Sequence, residues 1–362
     1  WSRKQWAQAR IGDLYTSRIP ANLVQKASEV ITLADDYIAN YNIYMGKLVD
    51  STGKTYFPSD MKLITHWGLR DELKSNYADK ENGLFKQKMI YGVMKNIISQ
   101  KIPTEVINQE KWNWDPLKNK LSDNGKEVTG TPEPNTRYQF LLENFKALKQ
   151  MDPYSPKYPS FIERAFDESL ELTQTEVEDL FISLVSAPQV KEVGKLISTR
   201  LGRPLEPFDI WYNGFRVDKD GISEAELDKI LNKKYPDRMA FEKDLPNILK
   251  KLGFEKEKAH SIASLIQVDP SRGAGHAWGA EMHSDKSRLR TRIGKNGMDY
   301  KGYNIAIHEF GHNVEQTITL QDMDFYSLHG VPNTAFTEAM AFIFQKRDRE
   351  LLGISNGANN MH

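Results

Sequence analysis

Apolar residues recur at the spacing of a helix face over most of this 362-residue chain. From Phe85 to Ile98 they repeat at i, i+4, i+5 and i+8, which places them on one side of a helix. Ile102-Pro103 then ends that helix, because proline disfavours helical backbone in the residue before it. Turn-forming residues predict a loop over 122–135. The same periodicity predicts further helices over 137–150, 161–172, 176–187, 188–201, 237–252 and 255–268.

The pattern changes at Asp269. Residues 271–279 are rich in glycine, which disfavours a helix, and the segments 276–283 and 288–293 then predict two short strands. In the second strand three arginines alternate with less polar residues, as expected when one face of the strand is buried. The two strands predict a small antiparallel hairpin. This hairpin either is structural or offers an edge strand that pairs with an extended peptide.

The next segment contains the motif H-E-x-x-H, formed by His308-Glu309-Phe310-Gly311-His312. Four residues advance a helix by little more than one turn, so His308 and His312 lie on the same face. This spacing suits two imidazole nitrogens on one Zn²⁺, while Glu309 can act as general base on a zinc-activated water. Apolar neighbours predict that the helix is buried, and buried histidines need partners such as a metal. The alternative is an ordinary helix with two surface histidines.

Gly311 lies between the two histidines, where it lowers the helix propensity by about 1 kcal/mol relative to alanine. A glycine is expected at this position if a strand or the metal lies close to the helix backbone. It is equally compatible with a simple local weakness of the helix.

A catalytic zinc site requires a third protein ligand and an open position for water. Downstream of the motif the candidates are His329 and Glu338. His329 lies in a predicted loop, whereas Glu338 lies in a strongly apolar helix predicted over 334–346. A carboxylate inside such a helix is costly unless it is paired or bound to a metal, which favours Glu338. The predicted ligands are therefore His308, His312 and Glu338, and the third histidine of a metzincin motif is absent.

Composition excludes several other functions. Lys plus Arg and Asp plus Glu number 49 each, so the net charge is zero and nothing indicates a nucleic-acid-binding protein. The chain has no cysteine, which rules out disulfides, thiol catalysis and cysteine-ligated zinc. No apolar run approaches the length of about 18 residues that a membrane span needs. We expect a soluble protein, of the cytoplasm or the periplasm, whose start at Trp1 is compatible with removal of a leader.

The zinc motif and the later helical glutamate resemble those of the gluzincin oligopeptidases, in particular the thimet oligopeptidase and oligopeptidase F family. Residues 204–209 resemble the L-x-P-W-D segment of that family, and residues 269–275 resemble its D-P-R-K-G-K-x-G-G segment. Residues 275–278 and 330–339 are similar to two segments of the angiotensin-converting enzyme family, H-A-S-A-W and G-A-N-P-G-F-H-E-A. The resemblance covers about residues 201–346.

This resemblance implies a mainly α-helical protein, a large ellipsoid with a substrate channel, zinc at the channel floor, and hydrolysis of short peptides. Phe342 departs from the pattern, because the converting enzymes carry at this position an Asp that supports a zinc-bound histidine. The Tyr/His-rich substrate segment that these families carry well beyond the third ligand is not met. We therefore expect either that the chain is truncated at its C-terminus or that the oxyanion donor is supplied differently. The candidate substrate contacts are His276 and Ala277 on the predicted edge strand, and the candidate oxyanion donors are His276, Tyr326 and His329.

We expect an N-terminal helical half, residues 1–205, and a catalytic half, residues 206–362. The predicted function is zinc-dependent hydrolysis of oligopeptides, with Glu309 as general base and no nucleic-acid partner. One alternative is an inactive, zinc-binding module of the peptidase type that captures peptides without cutting them. The other is a metal-free helical scaffold.

Overall fold

The computed structural model describes residues 1–13, 18–65, 67–214, 222, 224–271, 275–330 and 334–354. This part of the chain is mainly helical with small sheets, which confirms the predicted fold class. The helices are α1 (Arg3–Asp13), α2 (Ala21–Ala39), α3 (Gly68–Ser75), α4 (Gly83–Ile98), α5 (Thr136–Lys149), α6 (Phe161–Glu163, continued by a π-helix over Arg164–Leu170), α7 (Gln174–Ser186), α8 (Pro188–Leu201), α9 (Glu224–Lys234), α10 (Arg238–Lys251), α11 (Lys256–Ser264), α12 (Tyr300–Asp322), α13 (Thr334–Gln345) and α14 (Asp348–Leu351). The strands are β1 (Asn42–Tyr44), β2 (Lys62–Ile64), β3 (Asn113–Asp115), β4 (Lys120–Asp123), β5 (Lys126–Val128), β6 (Ile266–Pro270), β7 (His276–Trp278) and β8 (Ser287–Thr291). None of the described helices combines the length and the apolar character that crossing a membrane would require.

The chain forms two compact units. One unit is Ser17–Arg216, and the other combines Trp1–Thr16 with Val217–His362. Helix α1 therefore belongs with the C-terminal segment, to which it is tied by the ion pair between Arg3 and Asp324 and by a hydrogen bond from the Arg10 guanidinium to the Ser327 carbonyl. The spacing of apolar residues along the chain cannot predict a contact between segments that lie this far apart in the sequence.

The unit Ser17–Arg216 is built on the apolar face of α4. The side chains of Met89, Ile90 and Val93 are fully buried and pack in one cluster with Trp114 of β3. The segment 122–135, predicted to be a loop, contains part of an antiparallel hairpin of β4 and β5. Its turn is Asn124-Gly125, with φ of 48° and 82°, a pair of residues that tolerates positive φ and favours a tight hairpin. The loop prediction was wrong here because it did not weigh this turn signal against the short flanking strands.

Local sequence signals account for the ends of several helices. The Thr173 hydroxyl accepts a hydrogen bond from the Glu176 backbone N–H, and the Glu176 carboxylate accepts one from the Thr173 backbone N–H, which is a complete capping box for α7. Pro188 occupies the first turn of α8, where it lacks only an N–H that would have no partner inside the helix. The Asp299 carboxylate caps α12 by accepting from the Gly302 N–H at 2.6 Å.

The other unit contains a three-stranded sheet of order β6-β8-β7. The predicted antiparallel hairpin is present between β7 and β8, although β7 ends at Trp278 and is shorter than predicted. β6 pairs with β8 in parallel, so the end of the helix predicted over 255–268 is in fact a strand. Its residues Ile266 and Val268 are β-branched and fully buried, and packing on the sheet determines their conformation.

One face of this sheet packs on α12. The side chains of Val268 and Leu289 are fully buried and share a core with Tyr303 and Phe310 of α12. The residues that alternate with them in sequence lie on the opposite face, because successive strand residues point to opposite sides. The sheet therefore fixes the position of β7 beside the helix that carries the H-E-x-x-H motif.

Candidate metal centre

Helix α12 places the two histidines of the motif on one side. Its buried side chains, among them Ala306, Ile307 and Phe310, face the core and hold the helix in place. The rings of His308 and His312 lie one turn apart, with centroids 5.0 Å apart and planes at 82°. Their side chains are 16% and 15% exposed, so both imidazoles are largely removed from water.

Glu338 of α13 completes the group. Its Oε2 lies 3.4 Å from His308 Nε2, and its Oε1 lies 3.6 Å from His312 Nε2. Bonds of about 2.0–2.1 Å to a tetrahedral zinc place two ligand atoms about 3.3 Å apart, so these spacings fit a shared metal. Within the described ranges, these three residues are the one group of three or more His, Asp and Glu side chains close enough to hold an ion.

The donor set also fits zinc chemically. Two imidazole nitrogens and one carboxylate oxygen are a common protein ligand set for a catalytic Zn²⁺, which leaves one position open. The Glu338 side chain is 45% exposed, so the group is open to solvent on the side of the carboxylate. This exposure differs from the expectation that Glu338 is buried in an apolar helix. Glu338 is thus brought to the histidines by the packing of α13, and the cost of burying a carboxylate does not account for its position.

The packing of α13 depends on Gly311. A Cβ atom at this position would lie 2.7 Å from the Ala341 Cα and 3.3 Å from the Met340 carbonyl oxygen. The backbones of α12 and α13 therefore approach each other at a point where only glycine fits. From the sequence, Gly311 indicated either a strand or the metal close to the helix or a simple local weakness, and the neighbour in the structure is a second helix. This close approach brings Glu338 within reach of both histidines.

A polar network fixes the other end of α13 against α12. The Asp348 carboxylate accepts hydrogen bonds from the Tyr300 hydroxyl and the Asn304 amide, both at 2.8 Å. The Gln345 amide donates to the Asn304 Oδ1 at 2.8 Å. Burial raises the pKa of Tyr300 to about 12, so its hydroxyl stays protonated and remains a donor at neutral pH. These contacts lie one helical turn before His308 and were not predicted from the sequence.

The second nitrogen of His308 has an unusual environment. Its Nδ1 is buried and has no hydrogen-bond partner among the residues that the structure describes. The ring of Phe342 packs against the imidazole instead, at 5.0 Å between centroids and 72° between planes. A metal-bound histidine usually donates its other N–H to a carboxylate, a carbonyl or water, which fixes the ring and raises its basicity. Phe342 offers no acceptor for this bond.

Glu309 lies next to the start of β7. A Cβ atom on Gly275 would lie 3.3 Å from the Glu309 Cγ and 2.7 Å from the Ile305 Cγ2, so the strand meets the helix closely at this point. Further along, the Asn313 amide donates to the Trp278 carbonyl at 3.2 Å. The Glu309 carboxylate makes no hydrogen bond or ion pair within the described part of the chain. It is therefore available to exchange a proton.

The predicted substrate contacts fall into two groups. His276 and Ala277 lie on β7, in register with Arg290 and Leu289 of β8, and β7 is the edge strand of the sheet. Tyr326 and His329 lie together after α12, with ring centroids 4.4 Å apart. The Tyr326 hydroxyl donates to the Glu281 carbonyl, and the His329 Nδ1 lies beside the Tyr326 carbonyl. No described contact links this second pair to the three predicted ligands.

Parts of the glycine-rich segment 271–279 and of the segment 330–339 lie outside the described residues.

No protein-family model, curated protein or solved structure gives a significant match to this chain. The resemblance to the oligopeptidases therefore stays a prediction from motifs. The function has to be inferred from the geometry of the chain's own residues.

Replacing Gly311 by Ala is expected to lower the zinc affinity at least tenfold, because the new Cβ forces α13 and Glu338 away from the histidines. The measurement is zinc titration against a competing chelator. Gly12→Ala is the matched control, since a Cβ on Gly12 of α1 meets nothing within 4 Å. Equal zinc affinity in the Gly311 variant and the parent would show that the helix contact does not position Glu338.

Replacing Phe342 by Asp is expected to raise the zinc affinity about tenfold, because a carboxylate there supplies the acceptor that His308 Nδ1 lacks. Ile343→Asp serves as the control, since Ile343 is an exposed neighbour on the same helix. Both variants add the same charge. An equal increase of the zinc affinity in both would therefore be a general electrostatic effect and would contradict the specific role of position 342.

Proposed function

We propose that this chain is a zinc-dependent metallopeptidase that hydrolyses short peptides. The observation that carries the proposal is the convergence of His308, His312 and Glu338, whose potential ligand atoms all lie within 4.8 Å of one another. Beside them lies Glu309, whose carboxylate has no hydrogen-bond or ion-pair partner among the described residues. A structural zinc site is normally closed by a fourth protein ligand. The described chain supplies three ligands and, beside them, the base Glu309, which favours catalysis over a structural role.

The roles of the residues follow from their chemistry. Zinc bound by the three ligands would act as a Lewis acid that polarises the scissile carbonyl and lowers the pKa of water. Glu309 would take a proton from the attacking water and pass it to the leaving amine. A hydrogen-bond donor to the developing oxyanion is also expected. The candidates are His276, Tyr326 and His329, of which Tyr326 and His329 already contact neighbouring backbone carbonyls.

The position of β7 supports a peptide substrate. β7 is an edge strand that begins beside Glu309 and is held on α12 by the bond from Asn313. An extended peptide can add to such an edge through backbone hydrogen bonds, which do not depend on the side chains of the peptide. We therefore propose that His276 and Ala277 contact the substrate backbone. The substrate channel and the preference for oligopeptides are implied by the resemblance alone.

The second candidate function is peptide capture without hydrolysis. The contact of Phe342 with His308 favours it, since a zinc ligand without support for its second nitrogen is less basic. The presence of Glu309 favours hydrolysis, because a capture module has no need of a base beside the metal.

Glu309→Gln is expected to keep the zinc affinity of the parent and to lose about 10²–10⁴-fold in kcat, because the amide cannot accept the proton. Glu338→Gln is the matched variant at a ligand, and it is expected to lose both zinc and turnover. The measurement is zinc content together with cleavage of a mixed pool of short peptides. A chelator should abolish cleavage by the parent, and added zinc should restore it.

Three outcomes separate the candidates. Cleavage by the Glu309 variant at the rate of the parent would contradict the proposed base. Peptide binding without cleavage by the zinc-loaded parent would support the capture module. Absence of zinc binding in the parent would exclude both.

A further inference from the structure

The exposed face of the sheet carries a cation that forms no ion pair with any carboxylate of the described residues. Arg288, Arg290 and Arg292 alternate along β8 and its end with the buried residues Leu289 and Thr291. The arginines therefore share the face of the sheet that points away from α12. From the sequence, these charges are equally compatible with binding an acidic peptide and with simple solvation.

The three arginines differ in their partners. Arg288 forms an ion pair with Asp269 at 3.3 Å, and Arg292 forms one with Asp299 at 2.8 Å. Arg290 has no carboxylate within ion-pair distance among the described residues. Asp269 lies opposite Arg290 in the parallel register, yet its carboxylate contacts Arg288. Within the described part of the chain, one positive charge on this face therefore has no ion-pair partner.

Arg290 is held in place by an aromatic ring. Its guanidinium lies over the ring of Trp278, 4.9 Å from the centroid. Trp278 is the last residue of β7 and is 54% exposed. Stacking on a ring orients the planar guanidinium and still leaves N–H groups at its edge for a carboxylate. The two side chains are therefore already in place before a ligand binds, so they lose less conformational entropy on binding.

The pair also lies where a substrate would bind. Arg290 is the cross-strand partner of His276, so the two side chains share a face of the sheet. A peptide that adds to the free edge of β7 presents every second side chain on this same face. A carboxylate of such a peptide would come close to Arg290.

We propose that Arg290, whose guanidinium lies over the ring of Trp278, is a specificity-determining residue that binds a carboxylate of the substrate peptide. The proposal rests on the proposed function, since it places the peptide on β7. The carboxylate belongs either to an internal Asp or Glu side chain or to the C-terminus of the peptide. The guanidinium forms paired hydrogen bonds with either one.

The test compares short peptides that differ only in one carboxylate. One pair carries Glu or Gln at an internal position, and the other pair ends in a free acid or an amide. The zinc-loaded full chain is expected to prefer the carboxylate form about five- to tenfold in kcat/KM in one of the two pairs, as for a partly exposed charge-assisted contact. The pair that shows the preference identifies the source of the carboxylate. The preference should shrink as the salt concentration rises.

Arg290→Gln is expected to reduce this preference to about one, and Arg290→Lys is expected to retain part of it. Arg292→Gln is the matched control, because it removes a nearby charge just beyond the end of β8 that Asp299 already neutralises. Arg288→Gln is unsuitable as a control, since it would release Asp269 opposite Arg290. Circular dichroism checks that each variant is folded.

Binding of the same peptides to the zinc-loaded Glu309→Gln protein, followed by fluorescence anisotropy, gives the preference without turnover. Equal binding and cleavage of both members of each pair would overturn the proposal while leaving the peptidase intact. A preference that survives in Arg290→Gln, or that disappears equally in Arg292→Gln, would also overturn it. A carboxylate preference in binding without any cleavage would support the proposed role of Arg290 and contradict hydrolysis. Absence of both binding and cleavage would contradict both proposals.

Discussion

The close approach of α12 and α13 at Gly311 is the constraint on which the candidate site depends. The distance of 2.7 Å between a hypothetical Cβ and the Ala341 Cα leaves room for a hydrogen atom and nothing larger. The glycine costs about 1 kcal/mol of helix propensity relative to alanine. The contact between the two helices brings the Glu338 carboxylate within 3.4 Å of His308 Nε2 and 3.6 Å of His312 Nε2. The hydrogen bond from Gln345 to Asn304 joins the same pair of helices, and the contacts of Asp348 with Tyr300 and Asn304 tie α14 to α12.

The sequence predicted the local part of the site well. The two histidines are related by the geometry of a single helix, so their common face follows from spacing alone. Glu338 was identified through the cost of burying a carboxylate, yet its side chain is 45% exposed and its position results from helix packing. The structure thus brings the predicted residue beside the histidines, but by helix packing and not by the burial on which the prediction rested.

The features that the sequence did not predict depend on contacts between distant segments. Gly311 indicated a close neighbour, but nothing in its surroundings identified Ala341 of α13 as that neighbour. The parallel pairing of β6 with β8 was missed because Ile266 and Val268 fit the apolar pattern of the preceding helix as well as that of a strand. The hairpin of β4 and β5 could have been found from Asn124-Gly125, since this turn is a local signal.

The predicted metal ligands and the proposed substrate contacts lie on different secondary-structure elements. The helices hold the predicted ligands and Glu309, whereas β7 and β8 carry the backbone edge and the charge of Arg290. Gly275 connects the two parts, because the strand can lie against Glu309 only where no side chain intervenes. The proposed metal binding and the proposed peptide selection therefore depend on different elements, so a substitution is expected to change one without the other.

The most direct test of the central claim is X-ray absorption spectroscopy at the zinc edge on the chain loaded with one equivalent of Zn²⁺. The geometry predicts four nitrogen or oxygen ligands at about 2.0–2.1 Å, with the outer-shell scattering of two imidazoles. In the Glu338→Gln protein any zinc that remains should keep the imidazole signal and lose a protein oxygen ligand. A six-coordinate zinc without imidazole scattering, or a chain that retains no zinc at all, would contradict the assignment of His308, His312 and Glu338 as the metal centre.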